Sequence, residues 1–210
     1  KDVLDEIILV DDGSTDNTLE AAEKLGIPSF THPHRGYGGN LKFGLQKALE
    51  RGGEYLVEIH GDGQYDPIVI PMALRKMHDG YDFLHGSRFI DLKQPLRDGM
   101  SFARYFGNIA LSFFDRLILG LKLSEFHNGF RLYSRKLLMK VDFNKGSDDY
   151  LYSFEIIAMA RYHNLRIGEV MVHGDYKKDH TSISIWKAVI YALQTFYTLL
   201  LYILAKIGIK

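Results

Sequence analysis

The 210-residue chain contains no cysteine, which excludes a disulfide framework and any thiolate metal site. That absence is compatible with a cytoplasmic protein. The chain also lacks excess charge, since 26 lysines and arginines balance 26 aspartates and glutamates. Nucleic-acid-binding domains are usually basic, so no nucleic-acid partner is expected. Its strongly apolar stretch Thr195 to Ala205 (TFYTLLLYILA) covers 11 residues. A bilayer-spanning helix needs about 20. Nine histidines occur without the HExxH spacing of a zinc-binding helix. The chain opens on Lys1, and no signal peptide, internal repeat, low-complexity tract or interdomain linker is visible.

What is present is an alternation of strands and helices. Ile7 to Val10 form an unbroken apolar run, as expected of a strand buried on both faces, and it stops at Asp11, Asp12 and Gly13. A helix with Leu19, Ala22 and Leu25 on one side follows, then a short strand near Pro28 to Thr31. A glycine-rich loop from His34 runs into a helix striped by Leu41, Leu45, Ala48 and Leu49. Tyr55 to His60 and Tyr81 to His85 read as further strands, with a helix opened by Asp66-Pro67 between them. The pattern predicts an α/β fold with a mostly parallel, Rossmann-like sheet flanked by helices. Ligands bind such sheets beyond the carboxyl ends of the strands. Those ends carry Asp11-Asp12, His60-Gly61-Asp62 and Gly86-Ser87-Arg88.

The second half is less regular. A helix from Phe102 to Leu119 carries Phe102, Phe106, Ile109, Phe113 and Leu117 at helical spacing. A short strand near Asn128 to Ser134, a helix from Tyr150 to Tyr162 and a strand from Leu165 to His173 follow. The division expected is a catalytic domain over 1–180 and a basic, apolar helix over 181–210. Lys187, Lys206 and Lys210 flank that helix. It suits a position at a membrane surface, and packing on the domain or in a homo-oligomer is the alternative.

Several segments carry polar groups suited to chemistry. In HGDGQYDP, Asp62 sits between glycines that let a large ligand approach, and Gln64 adds a second hard oxygen for Mg2+ or Mn2+. A plain turn has the same composition. Asp11 and Asp12 at a strand end can accept hydrogen bonds from a nucleobase or ribose, and helix capping explains only the residues after them. Gly38, Gly39 and Lys42 lie where a helix start can attract phosphate, without matching a Walker A loop. Arg88, Arg97 and Arg131 follow or precede turns and offer the fork geometry that holds phosphate oxygens. Among the histidines, His60, His127 and His173 lie at turns or strand ends.

In order along the chain, IILVDDGSTDNT, RGYGGNLKFG, HGDGQYDP, GSRF, HNGFRLYSR and RIGEVMVHGDY resemble the family 2 glycosyltransferases of GT-A fold. The nearest subgroup is the polyprenyl-phosphate sugar transferases. The resemblance implies a nucleotide-sugar donor contacted by Asp11 and Asp12. It implies that Asp62, with Gln64, holds the metal and the diphosphate. It implies an acceptor site at Arg88, Arg97, Ser101 and Arg131 for a lipid phosphate or a glycan. His60 stands where the family usually has the first aspartate of Asp-x-Asp, and imidazole also binds Mn2+. No segment matching the family's first strand precedes the first motif. A hydroxyl acceptor would need a base, and Asp148 or Asp149 are the candidates. A sugar-phosphate nucleotidyltransferase and a non-catalytic nucleotide-sugar-binding module are the rival readings.

Overall fold

The computed structural model describes residues 3–174, 176 and 185–209. The elements run β1 (Leu9–Asp11), α1 (Thr18–Lys24), β2 (Ser29–Thr31), α2 (Tyr37–Glu50), β3 (Tyr55–Glu58), a 3-10 turn (Pro67–Val69), α3 (Ile70–His78), β4 (Phe83–Ser87) and α4 (Gln94–Arg97). They continue with α5 (Phe102–Leu119), β5 (Arg131–Ser134), α6 (Arg135–Lys140), α7 (Tyr152–Tyr162), β6 (Ile167–Met171) and α8 (Ile185–Lys206). The expected boundary between 180 and 181 lies outside the described residues.

The α/β class is as expected, but the sheet is divided. β1 pairs in parallel with β2, and a separate four-stranded sheet has the order β3-β5-β4-β6. Within it β4 and β6 are parallel, while β5 runs against both β3 and β4. The strands β3, β4 and β6 thus run in one direction, as expected of a mostly parallel sheet, and β5 is the antiparallel exception. Among the described residues, no strand pairs with the second edge of β1 or of β3. The helix α2 lies across the two sheets. A Cβ on Gly44 would approach Val10 Cγ2 at 3.2 Å, and Leu45 packs in one cluster with Leu56 of β3.

Side chains on the larger sheet alternate between its faces. Phe83 and Tyr133 join Phe126, Phe154 and Ile157 on one side, under α7. Leu84 and Leu132 join Ala73, Met77 and Val170 on the other, under α3. The smaller sheet is different, because Ile7 is exposed and Leu9 and Val10 are only half-buried. A three-residue strand paired on one edge has too little cover for the full burial its sequence suggested.

Two helices show features that the sequence pattern leaves open. α5 begins and ends as predicted, but Phe102, Phe106, Phe113 and Leu117 face outward, while Ser112, Asp115 and Leu119 are buried. α8 is one continuous helix in which Trp186–Lys206, 21 residues, is long and apolar enough to cross a membrane. The helix is longer than the 11-residue run because Trp186 to Gln194 continue its apolar character. One seam of α8 packs on the domain: Thr195 and Leu199 are fully buried, and Tyr202 packs against the core. Leu199→Ala should therefore cost roughly 2–5 kcal/mol in urea unfolding. Leu201→Ala, on the exposed side, should cost less than about 0.5 kcal/mol. Equal small losses would show that α8 does not belong to the domain core.

Candidate active site

The strand ends do converge. β3 and β4 both run antiparallel to β5, so their carboxyl ends share an edge with the start of β5. At that edge Arg131 stands between Glu58 on one neighbouring strand and His85 on the other.

Arg131 is 1% exposed and its fork faces inward. Nη1 donates to both Glu58 oxygens at 3.3 Å and to the Tyr37 hydroxyl at 3.0 Å, and Nη2 donates to the Asn128 carbonyl. The guanidinium of Arg131, expected at an acceptor site, is thus engaged by partners within the chain. Glu58 also accepts from Tyr37 and Tyr133, each at 2.5 Å. Burial alone would raise the Glu58 carboxyl, but Arg131, His60 and Tyr133 outweigh it and hold it at about 2. The same cluster seats His60, whose Nε2 lies 3.3 Å from the Tyr37 hydroxyl and 3.4 Å from Glu58. Gly129 makes room for the ring, since a Cβ there would lie 2.3 Å from His60 Cε1.

Beyond His60 the chain turns outward. Asp62 is exposed, and its Oδ1 accepts the Gln64 amide at 2.9 Å. Nothing lies within 4 Å of a Cβ built on Gly61 or Gly63, so the turn is open around its carboxylate. Among the described residues no three His, Asp or Glu side chains form a metal cage. The site therefore fits a divalent ion that keeps one carboxylate from the protein and takes further oxygens from a diphosphate, as Mg2+ usually does. It does not fit an ion held by protein alone.

A second neighbourhood surrounds the start of α2. Asp11 is buried and accepts from the Gly13 and Ser14 amides and from Thr31 Oγ1 at 2.8 Å. The Ser14 hydrogen bonds, with help from Thr31, hold its carboxyl below the usual range despite burial. Asp12 clamps the next loop, accepting from the amides of Arg35 at 2.7 Å and Gly36 at 3.0 Å. Gly38 and Gly39 donate their amides to the Asp148 carbonyl at 2.8 and 3.2 Å. A Cβ on Gly38 would lie 2.5 Å from the Ser147 carbonyl oxygen. These glycines thus serve a close approach of two backbones. Lys42 pairs with Asp148 at 2.6 Å, which lowers the Asp148 pKa. Asp149 accepts the Tyr150 amide at 2.7 Å. A cleft of about 500 Å³ opens here, lined by His34, Arg35, Gly36, Ser147, Asp148 and Asp149.

The third neighbourhood holds the remaining cations. Arg88 is buried and donates to Glu125 with its amide at 2.8 Å, its Nε at 3.1 Å and its Nη2. It also donates to the His127 carbonyl at 2.9 Å and to the Tyr176 hydroxyl. The fork of Arg88, expected at an acceptor site, is therefore engaged by partners within the chain. His127 itself links Asp115 of α5 at 2.9 Å to the Tyr191 hydroxyl of α8 at 2.8 Å. Arg97 is largely exposed and 3.6 Å from Asp91, and Ser101 is exposed at the start of α5. His173 lies 3.5 Å from Asp98, beside the same surface. Sequence reasoning missed Tyr37, Glu58, Glu125 and Gly129. Tyr37 and Gly129 lie within the quoted motifs RGYGGNLKFG and HNGFRLYSR, and Glu58 precedes His60 by two positions.

The α/β sheet with its flanking helices has the GT-A fold of its structural neighbours. The structure is similar to that of glucosyl-3-phosphoglycerate synthase from Mycobacterium tuberculosis, solved with Mn2+, uridine diphosphate and glucosyl-3-phosphoglycerate. The TM-score is 0.67 at 19% identity, over 99% of this chain and 70% of that one. The chain belongs to glycosyl transferase family 2, whose profile matches residues 2–142. It is 33% identical over 172 residues to an uncharacterised protein of Methanocaldococcus jannaschii, covering 81% of this chain and 70% of that one. It is 28% identical over 223 residues to the UDP-N-acetylglucosamine–dolichyl-phosphate N-acetylglucosaminyltransferase of Methanococcus voltae, covering 97% and 87%.

The buried Glu58 carboxylate gives a pH dependence of definite sign. A carboxyl depressed in the folded state stabilises the fold above its unfolded pKa, about 4.3. That contribution is lost as pH falls through the folded value of about 2. Urea unfolding from pH 5 to pH 2, both about the limits of this window, should show stability falling more steeply in wild type than in Glu58→Gln. Parallel curves would mean that Glu58 is not ionised in the fold.

Proposed function

We propose that this chain transfers a sugar from a nucleotide-diphosphate donor to a polyprenyl-phosphate lipid, with inversion at the anomeric carbon. The observation that carries the reading is the open turn at Asp62, an exposed carboxylate flanked by glycines with free space around them. Asp62 and Gln64 would hold Mg2+ or Mn2+ together with the diphosphate, with His60 behind them. Such an ion offsets negative charge on a departing nucleoside diphosphate. Asp11 and Asp12 form the donor side with Gly38, Gly39 and Lys42, which hold Asp148 in the wall of the neighbouring cleft. Arg97 and Ser101 lie on the acceptor side, where Arg88 and Arg131 fix the loops around it.

In the transfer an acceptor phosphate oxygen attacks the anomeric carbon. The carbon–oxygen bond to the diphosphate breaks, and its electron pair leaves with the nucleotide. An ionised phosphate needs no base. Asp148 is the poorer base for a hydroxyl acceptor, because its pairing with Lys42 lowers its pKa. The name of the Methanococcus voltae relative, with its dolichyl-phosphate acceptor, points the same way. We place the catalytic domain over 1–180 at the cytoplasmic face of a membrane, held peripherally through 181–210.

The test is transfer of labelled sugar from UDP- and GDP-sugars into organic-extractable polyprenyl phosphate, with and without Mn2+. Asp62→Ala should lose about 100-fold or more in turnover. Asp148→Asn and Asp149→Asn should retain turnover. Loss of turnover in either, with donor binding intact, would favour the hydroxyl acceptor. Pyrophosphate release from a nucleoside triphosphate and sugar phosphate would identify a nucleotidyltransferase. Donor binding without any transfer would identify a binding module.

A further inference from the structure

His127 takes no part in the transfer just described, yet three helices converge on its ring. The side chain is 8% exposed. Nε2 lies 2.9 Å from Asp115 Oδ2 of α5, and Nδ1 lies 2.8 Å from the Tyr191 hydroxyl of α8. Phe154 of α7 packs against the ring with centroids 5.6 Å apart. The partners give the bonds a direction. Burial pushes the Tyr191 phenol up, so its O–H is kept and donates to Nδ1. Burial raises the Asp115 carboxyl as well, and the bond from Nε2–H opposes this by favouring the carboxylate. A neutral ring is thus held as one tautomer, between one donor and one acceptor. Asp115 has 0% exposure, and its Oδ1 has no hydrogen-bond partner among the described residues. An apolar contact would join these helices at lower cost, but hydrogen bonds at both ends of the ring also fix its orientation.

The backbone of the same residue reaches the acceptor side. The His127 carbonyl accepts Arg88 Nη2 at 2.9 Å, and the next carbonyl, of Asn128, accepts Arg131 Nη2. Two residues earlier, Glu125 pairs with Arg88 through Nε and Nη2. Arg88 follows directly on β4, so the strand fixes where its backbone starts. The direction of its fork depends on the 125–127 segment that receives it. A turn of the His127 ring would carry that carbonyl with it.

We propose that His127 is a positioning residue of the acceptor site: its ring, fixed between Asp115 and Tyr191, holds the carbonyl that directs the Arg88 fork. The inference rests on the polyprenyl-phosphate reading for its substrate and adds to it a residue that touches neither donor nor acceptor. It predicts that the single hydroxyl of Tyr191, on the far side of the ring from Asp115, contributes to acceptor recognition.

Tyr191→Phe removes the donor at Nδ1 and keeps the aromatic packing and the Asp115 bond. His127→Ala removes both bonds, and His127→Gln restores a donor and an acceptor on one amide. Sugar transfer is followed against polyprenyl phosphate concentration, donor affinity by calorimetric titration of UDP- or GDP-sugar with Mn2+, and folding by thermal unfolding. We expect the acceptor KM to rise about tenfold or more in His127→Ala, less in Tyr191→Phe, and to recover in His127→Gln, with donor affinity unchanged throughout. Tyr191→Phe decides the matter if His127→Ala does not fold. A wild-type acceptor KM in folded Tyr191→Phe and His127→Gln, or in folded His127→Ala, would overturn the inference, as would equal losses for donor and acceptor. If the wild-type chain transfers no sugar to polyprenyl phosphate, the substrate reading falls, and the Arg88 Nε–H signal in NMR, identified by its loss in Arg88→Lys, decides the inference by itself. A signal displaced in Tyr191→Phe would support the positioning role, and an unmoved one would overturn it.

Discussion

Glu58 and Arg131 form a buried ion pair on which the geometry of the site edge depends. The pair joins β3 to β5, and Tyr37 brings the start of α2 into the same cluster. His60 leans on it from above. Removing two charges from water is costly, and such a pair adds little net stability compared with a well-packed apolar pair. Removing one partner is another matter, costing about 3–5 kcal/mol, because the other charge stays buried alone. The pair therefore acts mainly as a register device, fixing where the His60-Gly61-Asp62 turn leaves the sheet.

The same economy runs through the other charged residues. Arg88 is spent on Glu125, Lys42 on Asp148, and Asp12 on the amides of the loop before α2. Each internal pairing joins segments far apart in sequence and shapes a wall of the site. What remains open is narrow: the carboxylate of Asp62 in its glycine turn, and the cleft beside Asp12 and Asp148. A site with one free carboxylate has little capacity to bind a metal alone. It is suited to a ligand that brings its own phosphate oxygens.

This division also explains what could be read from the sequence. Asp11, Asp62 and Arg88 were legible as strand-end residues because apolar runs stopping at polar turns locate the edge of an α/β sheet. The fate of each side chain was not legible. The glycines before Leu41 resemble a phosphate loop locally, yet their close neighbour is the backbone at Ser147 and Asp148, more than a hundred positions later. Arg131 looks like a free cation within GFR, and only its pairing with Glu58 turns it inward. Periodicity found the α5 stripe but carries no information on which face meets the core. The sheet's division likewise follows from pairing, which strand patterns alone do not specify.

The central claim is that the Glu58–Arg131 pair positions the donor turn. Calorimetric titration of UDP- or GDP-sugar with Mn2+ into Glu58→Gln/Arg131→Met tests it most directly, since the double variant leaves no buried charge unpaired. The account predicts a folded protein whose donor affinity falls well below that of wild type, through the displaced turn at His60 and Asp62. Donor affinity equal to wild type in a folded double variant would contradict it.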